Sequence, residues 1–341
     1  MTRLLNRSIR IGLPVLALFA ADLSRAASVD EVVKSFEKDK GYIQPFATLF
    51  GSMTNSGWYQ SASVARGFSF YLGLPINLTQ VSDEDRDYHV DWIDNGCVLY
   101  HKDNPTGIQT CQEKTSFTAP TLFGKGKGAT QYTSVYDIDS KKIIDSVPRL
   151  FSNGNATMAS FNWLPFGEPQ LGLSYFHTEA KLRYLIVPLG FASASMPGFG
   201  LQHDFAWAMP NSPVHVSLAA NWTSLSAEWK PGENIDGSLK LDGSSAAYGV
   251  LAGWTWKNWL EVFTEIGWET ASVKTSGELT IHDKKKVLAD EKVRPNMNLE
   301  GRNGFRMALN LAVHLGYDAV LGQNIGAELG NQVSLLAYRF K

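Results

Sequence analysis

Three rows of polar side chains are spaced so that each meets a single environment. Glu179, Lys181 and Arg183 alternate with Ala180, Leu182 and Tyr184; Glu261, Glu265 and Glu269 form a second row; Arg306, Asn310 and His314 form a third. On an extended strand successive side chains point to opposite faces, so each row lies on one face. Rows of this kind can set the selectivity of a polar conduit, or pair with one another and simply fill the space they enclose. His215 and Asn221 are expected to line the lumen together with these rows. A catalytic alternative rests on His215 and Ser217, which share a strand face at i and i+2. No orienting acid or oxyanion site can be read around that pair, and neither G-x-S-x-G nor H-E-x-x-H occurs, so the expectation is a protein that is not an enzyme. Seven His and two Cys without ligand spacing lead to the further expectation of no metal and no cofactor.

The segments that carry these rows repeat with period two. From Gly304 to Gly316, Phe305, Met307, Leu309, Leu311, Val313 and Leu315 alternate with Arg306, Ala308, Asn310, Ala312, His314 and Gly316. The same alternation runs through Ala246 to Gly267, Gly67 to Leu78 and Val214 to Thr223, and a helix would scatter these residues around its circumference. A soluble sandwich alternates too. Against it stand strands far longer than the usual five or six residues, Trp254, Trp256, Trp259 and Trp268 clustered at strand ends, and short turns at one end opposite long polar connections at the other. The fold expected is all-β: an antiparallel transmembrane β-barrel of about twelve strands. Counted from the C-terminus, they lie near 331–341, 318–326, 299–315, 259–281, 236–256, 213–228, 198–208, 179–188, 169–176, 155–164, 128–140 and 66–78. A hairpin near 88–118 would raise the number to as many as fourteen. The last strand, with Leu336, Tyr338 and Phe340 on one parity, resembles the aromatic-ended signal read by the barrel-assembly machinery, although Phe340 is penultimate.

The N-terminus fixes the compartment. Arg3, Arg7 and Arg10 precede the apolar run Ile11 to Ala21, and Ser24-Arg25-Ala26 supplies small residues at −3 and −1, the pattern of a cleaved secretory signal over residues 1–26. Its removal takes four Arg and one Asp and leaves 27 basic and 32 acidic residues, a net charge of −5 against −2 for the whole chain. That balance, without a dense basic block, excludes a nucleic-acid partner. No later stretch of about 18 apolar residues occurs, so an inner-membrane helix is excluded as well. Residues 27–65 should form a short helix, with Ser28 to Glu31 as a capping box, followed by a plug in which Asn55, Gly57, Trp58 and Tyr59 enter the barrel. Aromatic residues in a tail of this length need somewhere to be buried. Cys97 and Cys111, with thirteen residues between them in an exported chain, are expected to form a disulfide that staples a loop near 80–127 of the barrel domain 66–341.

Several short motifs, in order, carry a family resemblance. Tyr42 to Pro45 precedes Asn55-Ser56-Gly57-Trp58-Tyr59 and Ala62. Pro169-Gln170-Leu171-Gly172-Leu173 then runs into Thr178 to Tyr184, and Gly198-Phe199-Gly200-Leu201-Gln202-His203-Asp204 follows. In these the chain resembles a little-characterised family of Gram-negative outer-membrane barrels. More distantly, its arrangement of plug and mid-sized barrel is similar to the long-chain fatty-acid transporter family, a likeness of architecture that assigns no substrate. The function expected is a channel or transporter in the outer membrane of a Gram-negative bacterium for a small molecule, with a small hydrophobic ligand as candidate cargo and outer-membrane lipid and the assembly machinery as partners. A structural or adhesin-like surface barrel is the first alternative and a membrane-embedded hydrolase the second.

Overall fold

The computed structural model describes residues 40–340 apart from short gaps at 102–103, 129, 138–141, 151–153, 155–157, 189–191, 210–211, 231–234, 258, 282–290, 302, 315–317 and 327–328. The expected signal and the helix expected at Ser28 lie outside the described residues. The first described element is instead a helix, α1 (Lys40–Thr54), over residues the sequence reading assigned to plug. Strands follow in the order β1 (Ser69–Gly73), β2 (Ile76–Gln80), β3 (Asp87–His101), β4 (Asn104–Pro120), β5 (Thr130–Asp137), β6 (Lys142–Leu150), β7 (Trp163–Gly167), β8 (Gln170–Tyr175) and β9 (Thr178–Pro188). Then come β10 (Ala192–Asp204), β11 (Val214–Trp229), β12 (Ile235–Trp256), β13 (Leu260–Ile281), β14 (Glu291–Val293), β15 (Met297–Glu300), β16 (Gly304–His314), β17 (Asp318–Gly326) and β18 (Leu329–Phe340).

The chain divides into two compact units. In the first, which includes 46–81 and 162–341, antiparallel pairing runs β12, β11, β10, β9, β8, β1, β18, β17, β16, β13 and returns to its start, because β12 and β13 pair along their whole length, from Ile235 opposite Ile281 to Trp256 opposite Leu260. This makes a ring of ten strands, where the sequence reading counted about twelve. The second unit, 25–45 with 82–161, holds a separate four-stranded sheet in the order β4, β3, β5, β6, with β3 and β5 parallel. The strand expected at 128–140 and the hairpin expected near 88–118 belong there and not to the ring. Alternation identifies strands but does not say which sheet they join. Prolines account for the rest of the difference. Pro75 separates β1 from β2 and Pro169 separates β7 from β8, and β2 and β7 pair only with each other as a two-stranded ribbon. Proline has no N–H to give a ladder, and at these two positions it falls between strands.

The ring is greasy outside and polar inside. Phe70, Leu72, Leu173, Leu182, Leu201, Leu218, Val250, Val262, Ile266, Leu309 and Leu311 are exposed, while Glu179, Lys181, Arg183, Gln202, Glu261 and Arg306, on the opposite parity, are buried. A soluble sandwich buries the other face. Along β12 and β13 the outward face changes character at Tyr248 and Trp268, which are register partners. Toward the short connection at Trp256 the outward residues are apolar but for Thr264; beyond Tyr248 they are Ala246, Ser244, Asp242 and Lys240, and beyond Trp268 they are Thr270, Ser272, Lys274 and Ser276. From Tyr248 to Trp254 is about 20 Å along the strand, the scale of a barrel's apolar band. In the outer extensions the inward parity becomes apolar: Leu239, Ala271, Val273 and Leu279 are buried, and Gly243 abuts the Phe50 ring of α1.

Candidate functional site

Residues 46–66 run through the interior of the ring, and the inward side chains grip their backbone. At the level of the outer extensions, Ala47 lies against Gly301, Phe50 against Gly243, and the Thr54 and Ser245 hydroxyls are 2.7 Å apart. The helix then ends: Gly57, at φ +67°, takes the left-handed conformation that glycine tolerates and turns the chain into an extended strap. Arg306 Nη1 donates to the Asn55 carbonyl (2.8 Å), Arg183 Nη1 to that of Ser56 (2.9 Å), Lys181 Nζ to that of Trp58 (3.0 Å) and Gln202 Nε2 to that of Ser61 (2.8 Å). Asn77 of β2 donates to the carbonyls of Met53 and Ser56, both at 3.1 Å. Near the short turns the polarity of the grip reverses. Glu261 accepts from the Ser61 hydroxyl (2.6 Å) and the Ala62 N–H (2.8 Å), Asp204 accepts from the Val64 N–H (3.2 Å), and the Ser217 hydroxyl donates to the Ala62 carbonyl. The N–H groups of Phe176 and His177, in the turn between β8 and β9, donate to the carbonyls of Arg66 and Ala65. Charged donors on carbonyls and carboxylates on N–H groups are the stronger class of hydrogen bond, and here they act on the backbone of the strap.

Trp58 and Tyr59 fill the middle of the ring. Trp58 is 1% exposed, its ring 4.1 Å from the Arg183 guanidinium carbon and its Nε1 donating to the Thr54 carbonyl at 2.8 Å. β10 makes room for it with Gly198 and Gly200; a Cβ at Gly200 would sit 2.7 Å from the indole. Tyr59 lies 4.7 Å from Lys181 Nζ and packs with Trp58, Ala62, Ala219, Leu251, Phe263 and Ala312 in one apolar cluster.

The structure thus brings together residues that the sequence reading kept in separate groups. Glu179 and Lys181 form an ion pair at 2.7 Å, and Arg183 also donates to Gln170 Oε1 at 2.7 Å. Arg306 pairs with Glu269 (3.3 Å) and Glu265 (3.7 Å), and Asn221 reaches the Tyr59 hydroxyl at 3.5 Å. Asn310 shares the inward parity of Arg306 and is half-buried; His314 ends β16 opposite Asp318 in register, and its side chain lies outside the described residues. His215 Nδ1 is 3.2 Å from Asp204 Oδ2, an orienting acid the sequence reading did not supply. Ser217, however, directs its hydroxyl to the Ala62 carbonyl and not to His215. Gln170, Gln202, Asp204 and Asn77 were missed as site residues. For Gln202 and Asp204 the signal was present, since both share a parity on β10 with Gly198 and Gly200. Cys97 and Cys111 stand directly opposite each other in the register of β3 and β4.

An antiparallel ring with inverted faces and a lumen held on its own N-terminal segment defines a class, the plugged β-barrel-like chain. By its sequence the chain belongs to the family of unknown function DUF6588, whose model matches residues 8–330. No curated protein matches it. Among solved structures it is similar to the translocator domain of the autotransporter NalP from Neisseria meningitidis, at 10% identity over 94% of this chain and 99% of that one, with a TM-score of 0.28. It is also similar to a mutant of the Rh. blastica porin, at 9% identity over 80% and 99% of the two chains, with a TM-score of 0.15. The more distant resemblance to long-chain fatty-acid transporters gains nothing from these matches.

Proposed function

We propose that the chain is a closed transmembrane β-barrel of the Gram-negative outer membrane, sealed by its own N-terminal segment, that carries a small molecule only when that segment shifts. The observation that carries this reading is the engagement of Lys181, Arg183, Glu261 and Arg306 on residues 55–62. In an open diffusion pore those groups would face water. The apolar band bounded by Tyr248 and Trp268 supports lipid as the surroundings, and the cluster around Trp58 and Tyr59 suits a small hydrophobic molecule better than an ion. The barrel-assembly machinery is the partner that would insert it. No catalytic step enters this reading, because Ser217, two residues from the His215 that meets Asp204, directs its hydroxyl to the strap.

A second reading, a structural or surface-displaying barrel without transport, draws on the separate unit of 82–161 inserted between β2 and β7. Planar bilayers separate the two. The intact protein is expected to be electrically silent, and a variant lacking residues 27–65 to assemble and conduct, with ion selectivity that changes when Lys181 or Arg183 is neutralised. Steady conductance from the intact protein would defeat the sealed reading. A deletion variant that assembles yet stays silent would favour the structural one.

A further inference from the structure

The direction in which the strap is threaded has a topological consequence. The connections between Tyr175 and Thr178, Asp204 and Val214, Trp256 and Leu260, and His314 and Asp318 lie at one end of the ring, the short-turn end. At the other, the long-connection end, lie the two longest, from Val81 to Asn162 and from Ile281 through β14 and β15 to Gly304, together with those from Pro188 to Ala192, Trp229 to Ile235 and Gly326 to Leu329. Along the lumen, Ala47 meets Gly301 and Phe50 meets Gly243 at the long-connection end; Trp58 meets Gly198 and Gly200 at mid-height; Val64 meets Asp204, and Ala65 meets His177, at the short-turn end. The chain then enters the wall at Ser69, opposite Ser174 near the same short turn. Residues 47 to 66 therefore descend from the long-connection end to the short-turn end.

We infer that the chain ahead of Phe46 leaves the lumen on the cell-surface side, so that the protein displays its own N-terminal segment outside the cell. The assignment of the long-connection end to the cell surface rests on the outer-membrane reading above; the direction of threading does not. Residues 40–45 fall in the same compact unit as 82–161, with the Tyr42 carbonyl accepting the Leu122 N–H at 3.0 Å and Gly41 against the Tyr88 ring. That insertion departs from the ring after β2, and β2 continues β1 away from the short turns. The two ring-unit residues that flank the insertion meet, the Val81 N–H donating to the Asn162 carbonyl at 3.0 Å.

Two consequences follow for a chain exported N-terminus first. The N-terminal segment has to cross the membrane inside the forming ring, because a folded four-stranded unit joined to it cannot be drawn through afterwards. The strap is also continuous with the chain at both ends, with β1 after residue 66 and with residues 40–45 of α1 before Phe46, so it can open a path by rearranging within the lumen.

Single cysteines test this in a background of Cys97→Ser and Cys111→Ser, using Lys40→Cys, Lys230→Cys beside a long connection and Lys257→Cys in a short turn, all at exposed positions. A membrane-impermeant maleimide is applied to intact and to permeabilised cells, and each variant is checked for a heat-modifiable band. Residue 40 is expected to be labelled in parallel with residue 230, both on intact cells, and residue 257 only after permeabilisation. If residue 40 behaves like residue 257, the threading inference is overturned. If 40 and 230 are both protected while 257 is labelled, the threading direction holds and cell-surface display is overturned, together with the orientation on which it rests. An epitope tag placed ahead of Lys40, read with antibody on intact cells, gives the same discrimination without a cysteine: binding supports display, and binding only after permeabilisation contradicts it.

Discussion

Glu261 accepts from the Ser61 hydroxyl at 2.6 Å and from the Ala62 N–H at 2.8 Å, and it is fully buried. Removing the carboxylate leaves a buried backbone donor without its acceptor, a change worth about 1–3 kcal/mol or more for a charged group. Glu261→Ala should therefore lower the temperature at which the heat-modifiable band converts, while Glu278→Ala, at the exposed end of the same strand, should leave it unchanged. Steric loss is expected at Gly200, where an added side chain meets the Trp58 indole. Gly200→Val should cost about 1–3 kcal/mol by overpacking and give measurable leak conductance as the strap is displaced. Gly304→Ala, with nothing within 4 Å of a new Cβ, should do neither. At this scale the inward charges were legible, because parity alone places Glu179, Lys181, Arg183 and Arg306 on one face. Their partners were not, since they are carbonyls of Asn55, Ser56 and Trp58, and no periodicity relates a strand to backbone lying across a lumen.

Among the elements, α1 shows how tertiary packing overrides local signals. Gly41, Pro45 and Gly51 argue against a helix over Lys40–Thr54 on propensity. Yet Gly51 is where the helix approaches the wall most closely: a Cβ added there would sit 2.6 Å from the Ala271 methyl, and the outer extensions of β12 and β13 offer Leu239, Ala271 and Val273 as an apolar seat. Gly51→Leu is accordingly expected to destabilise the fold, read as earlier conversion of the heat-modifiable band, whereas Lys40→Ala at the exposed start of the helix is not. The insertion gives a covalent prediction. Cys97 and Cys111 are register partners on neighbouring antiparallel strands, a separation a disulfide can span. Native protein should therefore yield no free thiol until it is reduced. Reduction should make 82–161 easier to cleave with external protease while the ring survives, since closing a loop of this size contributes about 3 kcal/mol locally. Labelling of both thiols before reduction would show the bridge to be absent. The sequence supplied the pair of cysteines but assigned them to a loop of the barrel, because alternation in β3 and β4 cannot reveal that they join a separate sheet.

For the whole molecule, the inverted faces and the long β12 and β13 could both be read from residue pattern, while the expected division into short and long connections holds only in part, since Pro188 to Ala192 and Gly326 to Leu329 are short at the long-connection end. The ring of ten could not, because the prolines that divide β1 from β2 and β7 from β8 turn what reads as extra strands into a ribbon, and because 130–150 folds elsewhere. The plug was legible as a need, in that Trp58 and Tyr59 required burial, while the register at which it is gripped depends on contacts up to 251 residues apart in sequence, between Arg306 and Asn55. The central claim, that residues 46–66 occupy the lumen as a held strap, is tested most directly by a cross-link between Thr54 and Ser245, whose hydroxyl oxygens are 2.7 Å apart. With Cys97 and Cys111 replaced by serine, Thr54→Cys and Ser245→Cys should join spontaneously in native outer membranes. The joined protein should migrate as a compact band without reductant and as the ordinary band with it, and each single variant should show no such shift. Two thiols that remain free and reactive in the assembled double variant would contradict the account, because the strap would then not lie where its hydrogen bonds place it.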